Sequence, residues 1–160
     1  MSKVAIIMGS QSDMETVQAG VDILKEFKVA FDVRVLSAHR TPEELAAYVA
    51  SAQKKGVKIF IAAAGGAAAL AGVIASHTTL PVIGIPIETK SLGGMDSLLS
   101  TVQMPGGIPV ACMAIGSAGA KNAGLFAVEI LAAFDSGLQK KLVIYRGRMR
   151  SKIAAIKVKA

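Results

Sequence analysis

The sequence predicts a doubly wound α/β domain, a parallel sheet of about five strands with helices on both faces. Three observations lead there. Short apolar runs recur along the chain, most of them closed by Gly, Pro or a small residue. Longer stretches between them carry apolar residues every three or four positions. The two kinds alternate from one end to the other, and strands separated by helices join in parallel through right-handed crossovers.

Residues 3–8, KVAIIM, run apolar up to Gly9, the pattern of a strand buried on both faces. In residues 12–27, Met14, Val17, Val21, Leu24 and Phe27 fall at helical spacing, and 31–36, FDVRVL, alternate as a strand. Thr41 then offers an N-cap, Pro42 the first helical position and Glu44 a capping-box acid, opening a helix that runs to about Lys55 and stops at Gly56. Residues 57–63, VKIFIAA, give the third strand, followed by the glycine-rich AGGAAALAGVIASH, a turn running into a small-residue helix. LPVIGIPI (80–87) is the fourth strand, 95–103 a short helix, GIPVACMAI (107–115) the fifth strand and 120–134 a long helix. A last helix covers 138–158, weakened by Gly147. With no linker, low-complexity tract or fixed-period repeat, residues 1–160 read as one domain, an α/β core over 1–135 and a basic helical tail over 136–160. The expected strand order is 2-1-3-4-5, the flavodoxin-like arrangement; both it and the dinucleotide-binding order place ligands beyond the carboxyl ends of the strands.

Composition narrows the function classes. At 160 residues the chain can bury about two thirds of its unfolded surface. The single cysteine, Cys112, excludes an intramolecular disulfide framework and a cysteine-based metal site, and a reducing compartment is expected. No apolar run reaches the length of a membrane span, so a soluble cytoplasmic protein is expected. The net charge of +7 resides in the tail: eight of the 18 basic residues follow Asp135, with no acid among them, while 1–135 hold ten basic and 11 acidic residues. Such a tail suits either nucleic-acid phosphates or the solvated face of a helix. The absence of an aromatic base-stacking set favours the second, and no nucleic-acid partner is expected.

Three loops share the carboxyl edge of the expected sheet. In the first, GSQSD (9–13), Gly9 allows close backbone approach, Ser10 and Ser12 carry hydroxyls, and a helix N-terminus offers free N–H groups to an anion. The same residues suit a purely structural capping box of Ser12 with Glu15. The second loop, SAHRTP (37–42), sets His39 beside Arg40; one can move a proton near neutral pH and the other can grip phosphate with two parallel bonds. A satisfied histidine and a surface ion pair are the alternative reading. The third, AAAGGAAAL (62–70), has no side-chain chemistry, but its exposed backbone can press N–H groups against a carboxylate or a planar ring, or simply allow tight helix–strand packing. His77 is expected to face solvent, Cys112 to lie in the core and Met104 to pack. Together the loops suggest a small phosphorylated ligand with one histidine near its reactive end. A flavin carrier would stack aromatics that are not seen in these loops, and a phosphoacceptor domain would need an aspartate where residues 62–66 read AAAGG.

At MGSQSDM, SAHRTP, AAGGAAALAG, PVIGIPI and MDSLLSTVQMPGGIPVACMAI…AKNAGLFAVEIL, the chain resembles the class I PurE family, N5-carboxyaminoimidazole ribonucleotide mutases of purine biosynthesis. The resemblance covers roughly residues 3–135. It implies a three-layer α/β/α sandwich assembled as a homo-octamer, with the C-terminal helix extending to neighbouring subunits. It implies a carboxylate moved from an exocyclic nitrogen to ring carbon C4 of an aminoimidazole ribonucleotide, with no metal, cofactor or ATP. Carried over by position, Ser10, Ser12 and Asp13 contact phosphate and ribose, Ser37 and Arg40 add phosphate-side contacts, and His39 is the acid and base. The wall made of Ala64, Gly65, Gly66, Ala67, Ala68, Ala69 and Leu70 encloses the base and its carboxylate. The family's third motif usually reads GGAAHLPG; here it reads GGAAALAG, with Ala69 in place of histidine and Ala71 in place of proline.

Overall fold

The computed structural model describes residues 1–158. Its five strands, β1 (Val4–Met8), β2 (Phe31–Val35), β3 (Ile59–Ala64), β4 (Val82–Pro86) and β5 (Ala111–Cys112), form one parallel sheet in the order β2-β1-β3-β4-β5. That is the order expected from the sequence. The helices are α1 (Met14–Phe27), α2 (Pro42–Lys54), α3 (Leu70–Ser76), α4 (Met95–Val102), α5 (Gly116–Ala132) and α6 (Ser136–Ala154).

Strand alternation sorts the core into two layers. Val4, Ile6 and Met8 of β1 pack with Val17, Val21 and Leu24 of α1 and with Ala123 and Ala127 of α5. Ala5 and Ile7 turn the other way, onto Leu45 and Val49 of α2 and Leu70 and Ile74 of α3. The central strands are therefore buried on both sides, which is why their sequences are apolar without interruption. Edge strand β2 is only half covered, and it alone shows a clear apolar–polar alternation. On the first face, α1 and α5 approach through Gly20 and Gly124: a Cβ at Gly20 would stand 2.7 Å from the Ala120 carbonyl oxygen, and one at Gly124 would stand 2.7 Å from that of Gly20.

The tail folds back onto this layer. In α6, Leu142 and Tyr145 are buried, and Tyr145 meets Phe27 at 5.5 Å between ring centroids. Several tail cations engage the core: Arg146 pairs with Glu129 and Arg148 with Glu26, each at 2.6 Å, and Lys141 Nζ donates to the Phe27 carbonyl at 3.1 Å. Pairs this exposed contribute little stability, but they account for part of the positive charge as helix-face chemistry. Lys159, counted in the basic tail, lies outside the described residues.

The structure corrects several boundaries. The fifth strand spans two residues instead of 107–115, because Gly107 and Pro109 deprive its first half of regular ladder geometry. Cys112 is thus half-buried on an edge strand, not in the core. Helix α5 begins at Gly116, four residues earlier than expected, and α6 ends at Ala154. Met104 packs as expected, with its sulfur against Gly72 of α3.

Candidate functional site

Because β1 lies between β2 and β3, the loops after these three strands meet at the carboxyl edge, where the chain's winding reverses. They enclose a cleft of about 400 Å³, within the range of small-ligand sites. The first loop supplies Gly9, Ser10 and Asp13, the second Ser37, Ala38, His39 and Arg40, and the third Ala64, Gly65, Ala68, Ala69 and Leu70. Ser12, Gly66 and Ala67, expected at the site, do not line the cleft. Ser12 instead donates its hydroxyl to Ser10 Oγ at 2.8 Å. Gly9 and Ala38 do line it.

The first loop is organised by its own side chains. Ser10, not Ser12, caps the short helical turn Gln11–Asp13: its Oγ accepts the Ser12 N–H at 3.3 Å, and its N–H donates to Asp13 Oδ2 at 3.2 Å. The expected Ser12–Glu15 box gives way because a tight turn precedes α1 and moves the cap two residues upstream. Burial raises the Asp13 carboxyl above its ordinary value, and the bonds from Ser10 and Ser12 and the charge of Arg40 offset only part of this.

The second loop closes on itself in a similar way. Thr41 Oγ1 accepts the Ser37 N–H at 2.8 Å and donates to the Ser37 carbonyl at 3.1 Å. It is therefore committed to the turn and makes no side-chain cap on α2, contrary to the capping box expected with Glu44, while Pro42 opens the helix as expected. Ser37 Oγ accepts the Arg40 N–H at 3.2 Å, and Arg40 Nη2 donates to the Gly9 carbonyl at 2.7 Å, tying the two loops together. Both His39 and Arg40 are exposed to solvent at this edge, so the imidazole and the remaining guanidinium N–H groups are accessible.

The third loop carries no polar side chain, only glycine, alanine and, at its end, Leu70. Gly66 lies in the left-handed region at φ +69°, and Ala68, a residue with a Cβ, at +40°. The turn is closed by the Ala68 N–H on the Gly65 carbonyl at 3.3 Å. Ala69 places a methyl group on the wall where the resembling motif carries an imidazole. Among the described residues, no three His, Cys, Asp or Glu side chains gather as a metal site, and no helix is long and apolar enough to cross a membrane.

Sheet order and cleft position place the molecule among the doubly wound α/β proteins with a site at the carboxyl edge of the sheet. Residues 3–152 match the model of the AIR carboxylase family. The chain is 58% identical to the N5-carboxyaminoimidazole ribonucleotide mutase of Bacillus subtilis, over 87% of this chain and 86% of that one. It is 50% identical to the mutase of Saccharolobus solfataricus over the full length of both. The crystal structure of Treponema denticola PurE superposes with a TM-score of 0.86 at 29% identity, covering 94% of this chain and 93% of that one. The chain belongs to the AIR carboxylase family.

Proposed function

We propose that the whole chain acts as one catalytic domain, an N5-carboxyaminoimidazole ribonucleotide mutase, an isomerase of purine biosynthesis. The observation that carries this reading is one imidazole and one guanidinium brought to a cleft whose other lining residues include Ser10, Asp13 and Ser37 and a glycine–alanine loop, in a chain about half identical to named mutases.

Arg40, Ser37, Ser10 and Asp13 are assigned to the phosphate and ribose, with Ser12 acting through its bond to Ser10, and the lining residues of the third loop, Ala64, Gly65, Ala68, Ala69 and Leu70, to the base and its carboxylate. His39 is assigned the proton transfers. As imidazolium it delivers a proton to the exocyclic nitrogen while the N–CO2 bond breaks, and the bonding pair stays on nitrogen. Ring carbon C4 then attacks the trapped carbon dioxide. The now neutral imidazole removes the C4 proton, restoring the aromatic ring and its own starting state. Carbon dioxide held in a cleft meets C4 at high effective concentration, and the phosphate, remote from the reaction, supplies binding energy that orients the ring.

The reading extends to assembly and compartment. Val143, Ile144 and Ile153 of α6 and Phe134 before it are exposed apolar groups, which suits a homo-oligomer, proposed to be an octamer, with α6 contacting its neighbours. The proposed compartment is the cytoplasm, and the proposed ligand is the ribonucleotide with no cofactor.

The test is turnover of the carboxyamino ribonucleotide, followed by ultraviolet absorbance, for the chain and for His39→Asn. The variant should lose turnover by about 10²–10⁴-fold, the usual contribution of a general acid–base group, while ribonucleotide affinity stays within about tenfold. Near-normal turnover in the variant overturns the role of His39. Turnover only with the uncarboxylated ribonucleotide and free carbon dioxide marks a direct carboxylase instead.

A further inference from the structure

The third wall of the cleft is held by a group that the chemistry above leaves unused. Ser97 is fully buried in the first turn of α4 and does not line the cleft. Its Oγ accepts the Gly66 N–H at 3.0 Å and donates to the Ile87 carbonyl at 2.7 Å. The Ile87 N–H in turn donates to the Ala64 carbonyl at 2.9 Å. One hydroxyl thus joins the glycine-rich loop to the chain leaving β4. Residues 64–70 carry no polar side chain, so no side chain of the loop can make such a bond for itself. A buried hydroxyl using both its donor and an acceptor site fixes geometry, because either partner left alone in the interior carries a desolvation cost.

We propose that Ser97 is a positioning residue for the carboxyl transfer: it holds the glycine-rich wall where that wall confines carbon dioxide between release from nitrogen and capture by C4. The inference rests on the mutase reading. Without the hydroxyl, the Gly66 N–H and Ile87 carbonyl lose their partner and the wall loosens. The N–CO2 bond still breaks, its electron pair stays on nitrogen and His39 supplies the proton. Carbon dioxide then leaves for solvent in a larger share of events, and the product of those events is the decarboxylated ribonucleotide. Leakage of this kind separates positioning from simple destabilisation, which lowers the active fraction without changing how each event ends.

The experiment supplies carboxyamino ribonucleotide labelled in its carboxylate, in unlabelled bicarbonate, and counts label retained in the carboxylated product against label lost. For Ser97→Ala the lost fraction should rise about tenfold, the scale of one buried hydrogen bond, with kcat reduced and KM within about threefold because the polar loops are untouched. Thr101→Val is the matched control. Thr101 is also buried and donates to the Ser97 carbonyl at 2.7 Å, within α4 and away from the loop; its variant should lose stability while retaining label like the parent. Ser97→Cys, a weaker hydrogen-bonding group of similar shape, should leak to an intermediate degree and serves in place of Ser97→Ala if that variant does not fold. Parent-like retention in the Ser97 variants, or equal leakage in Thr101→Val, overturns the inference. An unaltered chain without turnover overturns the mutase reading instead.

Discussion

The loops after β1 and β2 and the loop after β3 wall the same cleft by different means. In the first two, Ser10, Asp13, Ser37 and Thr41 bond to main chain two to four residues away, so each turn largely builds itself. The third has no side chain of its own to bond with: apart from the main-chain bond of Ala68 to Gly65, it is tied to a hydroxyl 31 residues further along the chain. The contrast matches the chemistry assigned to them. Gripping a phosphate and moving a proton need side chains, and side chains bring their own local bonds. Confining a small neutral molecule needs a close, smooth wall, and a wall of glycine and alanine must be held from elsewhere.

Arg40→Ala should break the polar half of this comparison most strongly. The guanidinium is both the bridge between the two self-built loops, through the Gly9 carbonyl, and the assigned phosphate partner. Its removal should weaken ribonucleotide binding by about 1.5–3 kcal/mol, the range for a charge-assisted contact, as measured by calorimetry. Unchanged affinity would remove Arg40 from the site.

Gly66→Ala sharpens the comparison from the other half. Nothing lies within 4 Å of a Cβ built there, yet its φ of +69° is one that L residues adopt at a cost. The loss should be about 1–2 kcal/mol of stability from backbone strain alone, seen as a lower urea midpoint with an unchanged slope. Gly9→Ala, in the first loop, also meets nothing within 4 Å and has no left-handed φ. Its stability should stay within about 0.5 kcal/mol of the parent, or slightly above it. Equal losses at both positions would contradict the view that only the third loop stores conformational strain.

The same division explains what could be read from the sequence. The strands and helices followed from apolar runs and helical spacing, both of which are local patterns; the strand order did not, because two doubly wound orders fit the same elements, but either of them places the three loops at the carboxyl edge. The His39–Arg40 pair was visible because two chemically distinctive residues stand together where a strand becomes a helix. Cap positions were missed by small shifts. The serine hydroxyls of the first loop serve several caps equally well on paper, and only the tight turn before α1 selects Ser10 over Ser12. The closing bond of Thr41 competes with a cap that the same hydroxyl could make. Strand five was overextended because apolar character persists through Gly107 and Pro109 while pairing does not. Ser97 gave no local signal, since a serine in the first turn of a helix is unremarkable until its partner from another loop is known. Gly20 and Gly124 were hidden likewise: each reads as a helix-weakening glycine until two helices are seen to touch there.

The smallest effect expected is electrostatic and distinguishes the cleft from the sheet edge. Burial raises both Asp13 and Asp32. In the cleft the bonds from Ser10 and Ser12 and the charge of Arg40 leave Asp13 above the ordinary 3.8. On β2, the bonds from Arg34 and Tyr48, each 2.9 Å long, outweigh burial and hold Asp32 below 3.8. Tyr48, pushed up to about 12 by burial and by its bond to Asp32, remains a donor throughout the acid range. The two carboxylates therefore act on stability with opposite signs. As pH falls, Asp13 takes up its proton more readily in the folded chain than in the unfolded one, so folding is favoured, and that gain is complete below the unfolded value. Asp32 stays charged past that value, and its stabilisation, full above it, is lost as pH falls through the folded-state pKa. Carboxyl carbon shifts followed through an acid titration should place the two midpoints on opposite sides of 3.8. Arg40→Ala should move Asp13 further up and Tyr48→Phe should move Asp32 up, each leaving the other unchanged. Midpoints on the same side would mean that the bonds closing the first loop and those anchoring the edge strand are no different in strength relative to burial.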